Sequence, residues 1–164
     1  WNAAPDIMCI AKGIASGVPA GVTFVKDEIA NCMNLGEHSS TFAGNPIACS
    51  AGNATIDTII KKDLVTKASE TGTYFKNKLI ELKHKHPIIR DVRGMGMMLA
   101  VESRFDVRDI LMDGIKNGLL MLYSGRTIIR LLPPLVMKKE QVSRAIDIMD
   151  EILSVEEKRR NVKG

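Results

Sequence analysis

Apolar positions recur along this chain with helical and strand periods. Leu64, Ala68, Phe75, Leu79 and Leu82 form one stripe of a helix expected over about Asp63–Lys85 and stopped by Pro87. Val142, Ala145, Ile146, Met149 and Ile152 mark another, from Lys138 to about Val155. Gly44-Asn45-Pro46 opens a third helix, because Asn45 suits the cap and Pro46 the first helical position. That helix runs to about Ile60, and its small residues Ala48, Ser50, Ala51, Gly52 and Ala54 permit close packing. Shorter helices are expected at Asp27–Met33 and at Asp106–Asn117, the latter closed by Gly118.

Short apolar runs bounded by turn residues predict strands at Asp6–Ala11, Gly21–Lys26, Ile88–Val92, Met97–Glu102, Leu119–Tyr123 and Thr127–Leu132. The last two pair as a hairpin across Ser124-Gly125-Arg126, and Pro133-Pro134 ends it. Asp6–Ala11 reads as a buried strand, and Asn34–Ala43 as a polar loop. Strands and helices alternate, so the class is α/β or α+β, with a domain transition near residues 60–64.

Composition narrows the class of protein. With 45% hydrophobic and 26% charged residues the chain is globular, not disordered. Only 4% is aromatic, so nine methionines, with Ile and Leu, must fill the core. The net charge of +4 is scattered, and its one cluster, Lys158-Arg159-Arg160 with Lys163, reads as a solvated tail. Without interleaved aromatics it offers little to a nucleic acid. Cys9, Cys32 and Cys49 are widely spaced with no CxxC pair, which suits free thiols in a reducing compartment. No apolar stretch is long enough for a membrane span and no signal peptide is visible, so a cytoplasmic protein without a membrane partner is expected. Trp1 stands where an initiator Met would, directly ahead of a core-like strand, and suggests a piece of something longer.

Two residues carry the candidate chemistry. Lys12 ends the run Ile7-Met8-Cys9-Ile10-Ala11 and precedes Gly13-Ile14-Ala15-Ser16-Gly17-Val18-Pro19. A partly desolvated amine beside backbone with no bulk suits a Schiff base with a planar aldehyde, while an ordinary solvated strand-end lysine is the plainer reading. Arg130, in Ile128-Ile129-Arg130-Leu131-Leu132-Pro133-Pro134-Leu135, is a guanidinium among apolar neighbours. It either meets a carboxylate in the two-pronged manner arginine favours or points outward by strand alternation. The hydroxyls of Ser39, Ser40 and Thr41, ahead of the capped helix, suit an anion or simple turn chemistry. His38 stands alone, and His84 and His86 fit contacts with a helix C-terminus better than a metal clip, so no metal set is assigned. Arg93-Gly94-Met95-Gly96 signals a bulge or close backbone approach and lacks the spacing of a dinucleotide fingerprint.

Four segments in order resemble one family. Pro5-Asp6-Ile7 through Ala11-Lys12-Gly13, with Gly17-Val18-Pro19, is similar to the Schiff-base lysine segment of class III (ornithine/4-aminobutyrate-type) aminotransferases. His38-Ser39-Ser40-Thr41-Phe42-Ala43-Gly44-Asn45-Pro46 resembles the next motif of that family. Arg93-Gly94-Met95-Gly96-Met97-Met98 and Ile129-Arg130-Leu131-Leu132-Pro133-Pro134-Leu135 resemble its C-terminal pair. The likeness is nearest to archaeal enzymes called 4-aminobutyrate aminotransferases, a group that includes amino-acid racemases.

The resemblance implies the end of a fold-type I large domain over residues 1–62 and a small α+β C-terminal domain over 63–164. It implies pyridoxal 5'-phosphate held by Lys12, which also shuttles the proton. Thr41, with Ser40, would bind the cofactor phosphate, usually that of the neighbouring subunit in a homodimer. Arg130 would grip the carboxylate of the amino-acid and 2-oxo-acid substrates. The chain begins after the regions where the family places its stacking aromatic, its glycine-rich phosphate loop and its pyridine-pairing aspartate. Racemisation in place of transamination, and a non-catalytic dimerising remnant, remain open alternatives.

Overall fold

The glycine-, serine- and proline-rich stretch after Ile10 turns the chain back on itself. In the computed structural model, which describes residues 2–162, β1 (Ile7–Ile10) and β2 (Val22–Val25) pair antiparallel, with Ile7 opposite Val25. Trp1 and Lys163, both used in the sequence reading, lie outside the described residues. The described residues fall into two compact units that divide between Asp63 and Leu64.

The first unit adds a 3-10 turn at Lys12–Ala15, α1 (Asp27–Ala30) and α2 (Pro46–Lys61). The cap of α2 is the expected one: Asn45 Oδ1 accepts from the Ala48 N–H at 3.0 Å, with Pro46 in the first turn. The lysine turn packs against α2, where glycine and alanine leave room for it. The expected burial of the first strand is not found. Ile7 is 55% exposed, Met8 42% and Phe24 48%, because two strands alone leave both faces of the ribbon uncovered within this unit.

The second unit holds the core. The order of its antiparallel sheet is β3 (Ile89–Met95), β4 (Met98–Ser103), β6 (Ile128–Leu131), β5 (Leu122–Tyr123). The chain reaches it from α3 (Leu64–Lys85), crosses α4 (Arg108–Lys116) midway and ends in α5 (Lys139–Arg160). All five stripe residues of α3 are buried, and Val142, Ala145, Met149 and Ile152 do the same for α5. Strand alternation sends Leu99, Val101, Ile129 and Leu131 into that core. The hairpin strand expected from Leu119 is shorter, pairing only at Leu122 and Tyr123. Arg93-Gly94-Met95-Gly96 proves to be a close-approach motif. A Cβ on Gly72 of α3 would stand 2.1 Å from the Gly96 oxygen, and one on Gly94 2.2 Å from the Met98 oxygen.

Two expectations about charge are corrected. The basic cluster, expected as a solvated tail, is the last turn of α5, with Lys158 and Arg159 exposed but the chain still helical through Arg160. Both arginines pair with Glu156, whose side chain is wholly buried, at 2.6 and 2.5 Å. Arg159 also reaches Asp113 of α4 at 3.1 Å. His86 does close α3, its N–H donating to the Leu82 carbonyl at 2.8 Å, but its side chain is 2% exposed and is taken by α5, not by the helix terminus. Its Nε2 meets Asp150 at 2.5 Å and its Nδ1 meets Glu157 at 3.0 Å, tying the α3–β3 corner to α5. Glu157 also accepts from the Ile88 N–H at 3.1 Å.

Candidate functional site

Lys12 follows directly on β1 and its backbone is left-handed, with φ of 56°. A residue with a Cβ pays for that conformation, so the surroundings must enforce it. They do so one turn later. Ala15 is 1% exposed against α2, the Ser16 hydroxyl meets the Thr55 hydroxyl at 2.9 Å, and Thr55 donates to the Ala51 carbonyl at 2.7 Å. The amine-bearing turn is therefore fastened to the middle of a helix. The expected desolvation of Lys12 is not found: within its unit the side chain is exposed, because only Ala15 of the turn is buried.

Ser40 and Thr41 lie in the loop that leads to α2, both exposed. The Ser40 carbonyl accepts from the Ala43 N–H at 3.1 Å, and the Phe42 carbonyl from Asn45 at 3.4 Å, so successive turns deliver the chain to the cap. Lys12, Ser40 and Thr41 belong to one unit, with no hydrogen bond between them among the described residues. Their chemistry fits the expected cofactor. A primary amine next to Gly13, where an added Cβ would find nothing within 4 Å, suits an aldehyde on a planar ring, and the hydroxyls suit its phosphate.

Arg130 belongs to the second unit. Ile129 and Leu131 on either side of it are buried, and Arg130 points to the opposite face of the sheet, exposed. On that face it lies opposite Ala100 of β4 and Leu122 of β5. It also borders a cavity of about 710 Å³ whose walls are mostly apolar, among them Leu120, Leu132 and Pro133.

The same face carries a cluster that the sequence reading did not single out. Arg93 Nη1 lies 2.6 Å from Glu102 and 3.1 Å from Asp91, and Arg90 reaches Glu102 at 3.4 Å. Hydrogen bonds to Glu102 and Asp91 hold the Arg93 guanidinium above its usual range, and Arg93 in turn holds the Asp91 carboxyl below its own. The alternation of acidic and basic residues along 90–93 was the available signal, but only the β3–β4 register brings Glu102 into it.

Residues 1–153 match the family described as aminotransferase class-III. The acetylornithine aminotransferase of Methanocaldococcus jannaschii is 38% identical over 154 residues, which cover 94% of this chain and 39% of that protein. The acetylornithine aminotransferase of Aquifex aeolicus is 40% identical, covering 93% and 39%. The chain thus spans about two-fifths of the length of these curated relatives. Among solved structures, the acetylornithine aminotransferase from Elizabethkingia anophelis superposes with a TM-score of 0.88 at 29% identity, over 94% of this chain and 40% of that one. An S-selective transaminase from Arthrobacter sp. gives 0.90 at 26% identity, over 96% and 40%. The α/β class expected from the sequence is the class of these structures. No helix among the described residues is long and apolar enough to cross a membrane.

Proposed function

Because the chain belongs to the class-III aminotransferase family, we propose that it supplies part of the active centre of a pyridoxal-phosphate enzyme. The reaction is transfer of an amino group between an amino acid and a 2-oxo acid. The observation that carries this reading is Lys12: an exposed primary amine on a left-handed residue, held in place by a turn fastened to α2. The relatives, acetylornithine aminotransferases, favour an acetylornithine- or ornithine-type amino donor over 4-aminobutyrate, and transfer over racemisation. In this reading residues 1–62 end the large cofactor domain and residues 63–164 form the small one.

Each residue then has a task. The bound cofactor supplies an electron sink for cleavage of a bond at the amino-bearing carbon. Lys12 Nζ would hold the cofactor covalently and, when freed, its amine would serve as general base and acid toward the substrate. Thr41 and Ser40 would hold the phosphate through their hydroxyls. Arg130 would bind and orient the substrate through its carboxylate. We place the cofactor phosphate at the seam of a homodimer. Support comes from the exposed apolar side chains of the first unit, Leu35, Phe42 and Ile47 among them, which a partner surface would cover. A cytoplasmic location agrees with three free, exposed cysteines.

The test is chemical labelling. Borohydride reduction of the protein with pyridoxal phosphate, followed by peptide mass analysis, should place the added mass on Lys12. Lys12→Ala should abolish the label and nearly all turnover. A label on another lysine, or full turnover by Lys12→Ala, would remove the assignment.

A further inference from the structure

The Lys12 side chain is exposed, a flexible four-carbon stem carrying its amine, so the direction in which the amine projects is set by the backbone beneath it. That backbone is a turn of 3-10 helix that opens on Lys12, with φ of 56°, and is closed by Ser16, with φ of 48°. Both residues are left-handed, and Ser16 is the one that the fold alone does not explain. A left-handed residue closing a helix is usually glycine, which adopts that conformation freely, while a Cβ disfavours it. Serine here works against its own backbone, which points to a use for its hydroxyl.

The bonds around Ser16 run from the neighbour of Lys12 to the middle of α2. The Ser16 N–H donates to the carbonyl of Gly13, the residue after Lys12, at 3.2 Å, and the Ile14 N–H reaches across Lys12 to the Ala11 carbonyl at 3.4 Å. The Ser16 hydroxyl lies 2.9 Å from the Thr55 hydroxyl. A hydroxyl has one hydrogen to donate, and Thr55 gives its own to the Ala51 carbonyl at 2.7 Å. Ser16 is therefore the donor and Thr55 the acceptor, in a chain of two bonds that polarise each other. Beside this pair the Ile14 carbonyl faces Gly52, where a Cβ would stand 3.8 Å from it, and Ala15 is buried. We propose that Ser16 and Thr55 are positioning residues for Lys12: their hydroxyl pair fixes the turn on α2 and so aims the amine at the cofactor aldehyde. The inference rests on the cofactor role proposed for Lys12.

The readout is the rate at which the intact protein, stripped of cofactor, captures pyridoxal phosphate on Lys12. The amine condenses with the aldehyde and releases water. Borohydride added at timed intervals delivers hydride to the new carbon–nitrogen double bond, and peptide mass analysis measures the label. Thr55→Val keeps the side-chain shape without the hydroxyl, and Ser16→Gly removes the hydroxyl while freeing the backbone. Each should slow capture roughly two- to tenfold, the effect of losing one neutral hydrogen bond, and lower kcat by a similar factor with KM for the amino acid little changed. Thr55→Ser, which keeps the hydroxyl, should capture at the original rate. The double variant should be no slower than either single one, because both substitutions break the same bond. The urea midpoint of Ser16→Gly should be little changed, since relief of the left-handed backbone offsets the lost bond. Unchanged capture in both single variants overturns the inference, as does a double variant slowed by the product of the two single effects. So does a loss of capture that only follows a falling urea midpoint. If the label in the original protein forms on another lysine, the cofactor role of Lys12 fails first, and this inference with it.

Discussion

Two glycines inside helices, Gly52 of α2 and Gly72 of α3, should respond in opposite directions to the same change. Helix propensity treats them alike: alanine is favoured over glycine in a helix interior by about 1 kcal/mol. Packing does not. A Cβ on Gly52 would lie 3.8 Å from the nearest atom, the Ile14 oxygen, which is ordinary contact. A Cβ on Gly72 would lie 2.1 Å from the Gly96 oxygen and 2.3 Å from its carbonyl carbon. Those are backbone atoms on a tight strand turn and cannot swing away, so α3 and the β3–β4 hairpin must part by about an ångström. Overpacking of this kind costs about 1–3 kcal/mol, and with backbone on both sides the upper end applies. Gly72→Ala should therefore lose about 2 kcal/mol net, while Gly52→Ala gains up to about 1 kcal/mol. Amide hydrogen exchange resolved along α2 and α3 reads each helix separately: protection should rise in α2 of Gly52→Ala and fall in α3 of Gly72→Ala. Stabilisation by both substitutions would refute the close approach of Gly72 to Gly96.

The other expectations concern buried and exposed charge. His86→Ala should destabilise the second unit by about 3 kcal/mol, because it removes the buried ring whose two nitrogens hydrogen-bond the Asp150 and Glu157 carboxylates. Urea unfolding checks this, and a loss under about 1 kcal/mol would deny the contact its weight. Arg130→Lys should raise KM for the amino acid roughly ten- to a hundredfold and spare cofactor affinity, since charge survives but the two-pronged geometry does not. Collapse of cofactor affinity at constant KM would reassign the residue. Acid should weaken the fold. The Asp113 carboxyl is held below its usual range by Lys116 and then Arg159. Burial pushes the Asp150 carboxyl up, but hydrogen bonds from Lys85 and His86 outweigh it and leave it lowered. A depressed carboxyl stabilises the folded state above its unfolded value of about 3.9 and loses that contribution as pH falls through the folded value. The unfolding free energy should thus decline below about pH 4, and a flat profile from pH 6 to 3 would contradict these pairings.

What the sequence disclosed was local. The stripe on α3 and the Asn45–Pro46 start of α2 need only a few neighbouring residues to be read, and both stand as expected. Gly72 was opaque because its reason lies in Gly96, on another element. His86 was read as a helix-end residue because nothing nearby in sequence announces Asp150 and Glu157, 64 and 71 positions away. The apolar run at Ile7–Ile10 signalled burial, yet apolarity says only that a strand seeks cover, not that its own unit provides it. For Lys12 and Arg130 the residue types were legible and their surroundings were not. The exposure of the amine and the engagement of Arg93 by Glu102 depend on folding.

The last turns of α5 bear on where this unit may be cut. The family match stops at residue 153, seven residues before the helix does. A gene trimmed at that boundary would retain every residue that the family match covers in this chain. It would also discard Glu156 with both its arginines and strip His86 of Glu157. Homology and foldability part company here. The boundary that serves an expression experiment is Asn161, whose left-handed backbone closes the helix.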